Sequence, residues 1–401
     1  MQKGWTSRER VRVALAHQEP DRVPIGLRIA GPAYQRLRQY LGFPPGEENQ
    51  PPGMLAARIE PDVAGFLGLD LACLHLNQPA GLLPPAGLLP PAGILPPSPD
   101  AALVQASSLY FDAWGVGRRI RAEGTQPPWI ETTHAPLGAA RIDDLRDFAW
   151  PDSQDTTWTR GLEAYARYLY EETTLALAGS FGGPILQTAE ELRGRAQWQA
   201  DLTDRPDFAC ALLNRIAHVQ IGLDEAGIKA AGPYLSIVAL PECGDGPPGQ
   251  FTYPASIWQE TLRPVLERRW RAARQAMNRH APQARLMLSA AAPPPGLFQH
   301  LVDGGVEIFG PLGPGIGVAP RTLKRSYGNH ISFFGGVDGG ALLHHGSEND
   351  VRAQVIALLE QMGHGGGFVV SPDQTIQAGA RPQNIVALCE TVRMYGRYVT
   401  A

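Results

Sequence analysis

The sequence predicts an α/β fold: one (β/α)8 TIM barrel with β-hairpin excursions and a proline-rich loop insertion. Three observations carry this. Short apolar runs alternate with helical stripes along the chain, which calls for a parallel sheet. About seven or eight strand candidates suit a closed barrel better than a doubly wound sheet, and the dinucleotide fingerprint GxGxxG is missing. The 401 residues suit one barrel with insertions, so residues 1–401 read as a single domain.

The elements follow in order. Thr6-Ser-Arg-Glu9 has the pattern of a capping box and opens a short amphipathic helix with Val11 and Leu15, which Pro20-Asp-Arg-Val-Pro24 stops. Strand candidates are Leu69–Leu76, Leu175–Gly179, Leu235–Leu240, Arg285–Ser289, Val306–Phe309, Ile331–Phe334 and Gly367–Val370. Between them run helical stretches such as Trp258–His280, where Leu262, Val265, Leu266, Ala273 and Met277 form a stripe that must face the core. Gly310–Gly317 reads as a loop. Residues 80–97 repeat Ala-Gly-Leu-Leu-Pro-Pro twice and Ala-Gly-Ile-Leu-Pro-Pro once, whose prolines predict an extended surface loop. Residues 107–138 alternate apolar and polar positions around Gly115 and Gly124, which predicts antiparallel β excursions beside the barrel.

Composition narrows the function classes. No window approaches 18 uninterrupted apolar residues, so no membrane span is expected. The first ten residues run into charge instead of an apolar stretch, which makes the cytoplasm the expected location. Cys73, Cys210, Cys243 and Cys389 lie far apart and predict reduced thiols. A net charge of −4 without a long basic run speaks against nucleic acid. Lys3, Lys229 and Lys324 leave Schiff-base chemistry few candidates.

Four stretches, in order and spacing, resemble the uroporphyrinogen decarboxylase superfamily, which holds tetrapyrrole decarboxylases and corrinoid-linked methyltransferases. They are Thr6-Ser-Arg-Glu-Arg10 with Glu19-Pro-Asp-Arg-Val-Pro24; Asp112-Ala-Trp-Gly115 with Pro136-Leu137; Gly335-Gly-Val-Asp-Gly339; and Gly365-Gly-Gly-Phe-Val-Val-Ser-Pro372 with Arg381-Pro-Gln-Asn-Ile385 and Tyr395-Gly396. The resemblance implies a barrel with its site at the C-terminal mouth, and it makes a homodimer the expected assembly. In the methyltransferase branch it implies a zinc site that activates a thiol, at positions matching Ser289, Ala291 and Gln374. None of these three is a zinc ligand, so no zinc is expected. In the decarboxylase branch it implies several arginines in the first segment and an anion where Asn77 stands. Here Gly26–Pro32 holds Arg28 alone, and Asn77 is neutral.

The candidate catalytic carboxylates are Asp338, which follows a strand inside paired glycines, and Glu242 and Asp245 after the strand ending at Leu240. Candidate substrate-binding residues are His75 and Asn77, Asp112, Trp114 and His134 of the excursions, Ser289, and Asp373 with Gln374. Cys73, His75 and Asn77 share a strand face, and with Glu242, Cys243 and Asp245 they offer ligand types for a relocated metal site; packed, satisfied side chains are the commoner outcome. Glycines 335, 336, 339 and 340 read as points where backbone approaches a ligand, and Gly365–Gly367 as structural, at the barrel's bottom. Three functions stay open: demethylation of a small molecule with cobalamin carried by a partner corrinoid protein, decarboxylation of a tetrapyrrole or small acid, and a non-catalytic binding barrel.

Overall fold

The computed structural model describes residues 5–44, 57–77, 109–121, 129–242, 253–290, 296–313 and 316–398. Its strands are β1 (Leu71–Leu74), β2 (Leu109–Phe111), β3 (Gly117–Arg121), β4 (Trp129–His134), β5 (Ala176–Gly179), β6 (Leu235–Pro241), β7 (Arg285–Ser289), β8 (Ile308–Leu312), β9 (Ser332–Val337) and β10 (Phe368–Pro372). Every strand candidate of the sequence yields a strand, and those seven form one parallel sheet ordered β1-β5-β6-β7-β8-β9-β10. Helices connect them, among them Pro206–Ala231 between β5 and β6, Arg263–His280 between β6 and β7, and Glu348–Met362 between β9 and β10. Parallel neighbours need such crossovers because a tight turn cannot reverse the chain twice.

Among the described residues the sheet has seven strands, not the eight of a full TIM barrel. An extended segment, residues 23–30, lies along β10 and reaches the approach to β1. Gly26 N donates to Val370 O, Val370 N to Pro24 O, and Asp70 N to Ile25 O, each at 2.9 Å. Isolated bridges pair Ile25 with Val370 and Ile29 with Ile376. Pro24 has no N–H to give a ladder, which is one reason the pairing stays a set of bridges.

Alternation along the strands sorts the apolar residues into two layers. Leu71, Ala176, Ile237, Met287, Ile308 and Val369 cluster on the inner face with Val11 and Leu15 of the first helix. Leu74, Leu177, Val238, Leu286, Phe309, Phe333 and Val370 belong to the larger cluster beneath the outer helices. The first helix, Ser7–Ala14, has the predicted capping box, with Glu9 N donating to the Thr6 hydroxyl. It sits at the N-terminal ends of β1 and β5, where Arg8 N donates to Thr174 O.

The N-terminal motif turns out to be an ionic lock. Asp70 is wholly buried and accepts from Arg10 Nη1 at 2.6 Å, Arg22 Nη1 at 2.7 Å and Ile25 N at 2.8 Å, while Asp21 pairs with Arg10 Nε at 2.6 Å. One carboxylate thus ties the first helix, segment 23–30 and the approach to β1. Buried charges persist only when paired and hydrogen-bonded in this way.

The helical stripe of residues 258–280 is buried as expected, but its first turn differs: Ala255–Ile257 is α-helical, Trp258–Leu262 is a π-turn, and the regular helix starts at Arg263, whose successor Pro264 cannot donate to an earlier carbonyl. The expected excursions appear as an antiparallel sheet ordered β2-β3-β4. The proline repeat at 80–97 lies outside the described residues. No helix among the described residues is long and apolar enough to cross a membrane.

Candidate active site at the strand ends

In a parallel sheet all strands end on one side, so residues that follow them gather there. Inner-face alternation brings Cys73 on β1, Ala178 on β5, Ala239 on β6, Ser289 on β7, and Ser371 and Asp373 at the end of β10 toward this mouth. Ala178 and Ala239 are small and pack against the inner cluster, and Ser289 is buried.

Asp373 and its neighbours form one polar group there. Its Oδ1 accepts from Gly339 N at 2.8 Å, the one bond its side chain makes to another described residue, while its backbone N donates to Val337 O at 2.8 Å. Burial pushes its carboxyl up from the usual range, Gly339 N–H pulls it down, and the negative Asp338 adds to the rise. A Cβ at position 313 would lie 2.9 Å from Asp373 Oδ2, and one at 340 would lie 2.6 Å from Gln374 Nε2. Glycine at these two positions lets both side chains occupy the space. Gly335 and Gly336 do something else. With φ of +114° and +102°, they bring β9 against the chain's own Leu312 backbone and Leu358 side chain, not against open space.

Asp338 faces inward less freely than its position suggests. Its Oδ1 accepts from Gly340 N at 2.9 Å and Ala341 N at 2.8 Å, so it closes the turn that enters the short helix Ala341–His345, whose N-cap is Gly340. Glu242 is buried at the end of β6. Its Oε1 accepts from Arg269 Nη1 at 2.8 Å and its Oε2 from Ile185 N at 3.1 Å. Arg269, itself wholly buried, also gives Nε to Asp224 Oδ2 at 2.7 Å, and Nη1 to Gly183 O at 2.9 Å and Pro241 O at 3.2 Å. Asp224 further accepts from Gly182 N at 2.8 Å. This Asp224–Arg269–Glu242 network clamps the loop after β5 to the end of β6. Burial dominates the Glu242 carboxyl and pushes it up to about 7, against the pull of Arg269. Sequence reading missed Arg269 and Asp224. The signal was present: Arg269 falls on the apolar stripe between Leu266 and Ala273, where a charge must find a partner.

The other candidates divide. Cys73 shares the inner face with Leu71, and His75 follows two residues on; burial raises the Cys73 thiol while the nearby Arg28 guanidinium opposes it. Asn77 does not join them. Its Nδ2 donates to Arg160 O at 2.7 Å and its backbone N to Trp158 O at 2.9 Å, because the chain has already left the strand after Leu74. Ser289 is buried at the end of β7. Asp112 Oδ1 accepts from Trp114 N at 2.9 Å and Val116 N at 3.0 Å, and its Oδ2 accepts from Arg118 Nη2 at 2.8 Å, so it shapes the turn into β3. Arg118 Nη2 also pairs with Glu191 at 2.7 Å, docking the hairpin on the helix Ile185–Arg193. Trp114 packs edge-on against Trp150 and His134 against Phe111. The glycines 365–367, all at positive φ, spend their N–H groups on Glu19, Gly363 O and Ala14 O, at the end of the barrel opposite the mouth.

Cys243, Asp245 and Ala291 lie outside the described residues. Among the described residues no three His, Cys, Asp or Glu side chains converge so as to hold a metal ion. Ser289 and Gln374, at two positions where the resemblance would place zinc ligands, supply no zinc donor.

No protein-family model matches the chain, and no curated protein does. Among solved structures, a methyltransferase from Methanosarcina mazei superposes with a TM-score of 0.61 at 17% identity, covering 98% of this chain and 99% of that one. An endo-1,4-beta-xylanase from Penicillium canescens covers 62% of this chain and 84% of its own at 11% identity and a TM-score of 0.38. A putative vitamin-B12 independent methionine synthase from Listeria monocytogenes covers 58% and 68% at 12% identity and 0.33. The chain therefore shares, over nearly its whole length, the fold of the Methanosarcina methyltransferase.

Proposed function

We propose that this chain is a methyltransferase of the uroporphyrinogen decarboxylase superfamily that demethylates a small molecule at the mouth of the sheet, with Asp373 as proton donor. The observation that carries this is the Asp373 carboxyl: it ends the inner face of β10, is pushed toward its protonated form by burial and Asp338, and among the described residues its side chain bonds to one other residue, Gly339. The methyltransferase fold shared across the whole chain supports the reaction class.

Demethylation breaks the bond between a methyl carbon and an oxygen, nitrogen or sulfur. The heteroatom keeps the bonding pair and needs a proton, which the Asp373 carboxylic acid supplies. The carboxylate left behind is held by Gly339 N–H and is reprotonated from solvent. A corrinoid carried by a partner protein supplies the methyl acceptor. No step runs through zinc, since Ser289 and Gln374 give it no ligand.

The test is a panel of methyl ethers, methylamines and methyl thioethers incubated with chemically reduced cobalamin, following cobalamin absorbance and the demethylated product. Turnover of at least one compound is expected, unaffected by a chelator, and lowered by Asp373→Asn by about 100-fold or more. No turnover of any compound refutes the reaction class. Full activity in Asp373→Asn removes Asp373 from the chemistry.

A further inference from the structure

Away from the mouth, on the outer face of the helix Pro206–Ala231, lies a groove of about 560 Å³. Asn214, Arg215 and His218 recur at helical spacing along one side; Arg268 enters from the helix Arg263–His280 and Arg146 from the helix Asp144–Asp147. Four cationic or protonatable side chains thus line one concavity, and its lining contains no carboxylate.

Six arginines elsewhere in the molecule are neutralised. Arg10, Arg22, Arg38, Arg118, Arg193 and Arg269 each pair with a carboxylate. In the groove, Arg268 donates only to the neutral Asn214, at 2.8 Å to Oδ1, and among the described residues Arg146 and Arg215 form no ion pair. Like charges gathered in a concave wall raise a local positive potential, although the adjoining surface that shares Arg215 and His218 carries Asp152 and Glu225 and the chain as a whole is negative at −4. An anion relieves that repulsion, and guanidinium forks match phosphate oxygens two at a time. Leu145 and the 41% exposed Ile142 flank the cations with apolar surface, and the volume lies in the range of small-molecule sites.

We propose that this groove binds a small organic phosphate, its phosphate held by Arg146, Arg215, Arg268 and His218 and its organic part against Ile142 and Leu145. The site is separate from the mouth and does not depend on what reaction occurs there.

Calorimetric titration of the full chain at 0.15 M salt with inorganic pyrophosphate, AMP and a poly-aspartate peptide tests it. Saturable sub-millimolar binding of pyrophosphate and AMP is expected, tighter for AMP. Arg215→Glu with Arg268→Glu should weaken both by roughly tenfold or more. Both positions are exposed, so an unchanged unfolding midpoint without ligand is expected; if the reversal variant unfolds early, Arg215→Gln with Arg268→Gln serves in its place. Absence of pyrophosphate and AMP binding, binding that the folded variant retains in full, or binding of the peptide alone overturns the proposal.

Discussion

Replacing Arg269 with methionine removes a guanidinium that is wholly buried and bonds five ways, to both Asp224 oxygens, Glu242 Oε1, Gly183 O and Pro241 O. Methionine keeps much of the side-chain volume, so the change is chiefly electrostatic: two buried carboxylates lose their shared counter-charge. Breaking a buried ion pair by removing one partner costs about 3–5 kcal/mol. Against a total stability of about 5–15 kcal/mol this is a large fraction. The carboxylates can escape part of the cost by taking up protons, so the loss grows with pH. Urea unfolding of wild type and Arg269→Met, followed by tryptophan fluorescence at pH 5.5 and pH 8, measures both features. A companion variant with leucine at 224 and 242 as well should recover much of the loss, because apolar replacement of a whole buried network is often tolerated. A loss below about 1 kcal/mol at pH 8, or one independent of pH, refutes the view that Arg269 is the charge centre of the clamp.

Two further outcomes follow from the same geometry. The Glu242 carboxyl sits near 7 when folded and near 4.5 when unfolded, so the folded chain holds a proton that the unfolded chain releases; its contribution is full below about 4.5 and is lost as pH rises through 7. Unfolding free energies at pH 5 and pH 8 should differ in that sense, and Glu242→Gln should flatten the difference. Gly313→Ala places a methyl 2.9 Å from Asp373 Oδ2 and Cβ. We expect it to fold with a stability loss of about 1–3 kcal/mol, measured by thermal unfolding, and to lose the turnover assigned to Asp373.

The fold was legible because barrel strands carry their own local pattern. Each apolar run from Leu69 to Val370 had turn residues at its ends and a helical stripe behind it, so all seven strands could be placed without knowing their neighbours. Segment 23–30 could not. It holds Pro24 and Gly26, reads locally as a stop, and finds its place only through Val370 and Asp70, which are remote in sequence. The same limit applied to the site. Asp373 was visible as a residue after the last strand, but its burial, its bond to Gly339 and its crowding by Gly313 come from three different strand ends. Asp338 and Glu242 were equally visible, and sequence position alone ranked them higher. The paired glycines before Asp338 were read as room for a ligand, whereas they make room for Leu312 and Leu358.

What separates the carboxylates is the work each must do to give up a proton. Glu242 is bound to Arg269 by a charge-assisted contact, of a kind that contributes about 1.5–3 kcal/mol, and breaking it to reach a substrate would slow the step by roughly 10- to 100-fold. Asp338 is held on Oδ1 by two backbone N–H groups of its own loop, Gly340 N and Ala341 N, which fix it in the turn that enters the helix Ala341–His345. Asp373 keeps its bond to Gly339 whichever form it is in, because that bond goes to Oδ1 while Oδ2 faces Gly313. The nearby negative charge of Asp338 then favours the protonated acid before transfer, and the Gly339 N–H steadies the carboxylate after it. A group stabilised in both states of the step, with no contact to break between them, is the one whose proton moves at least cost.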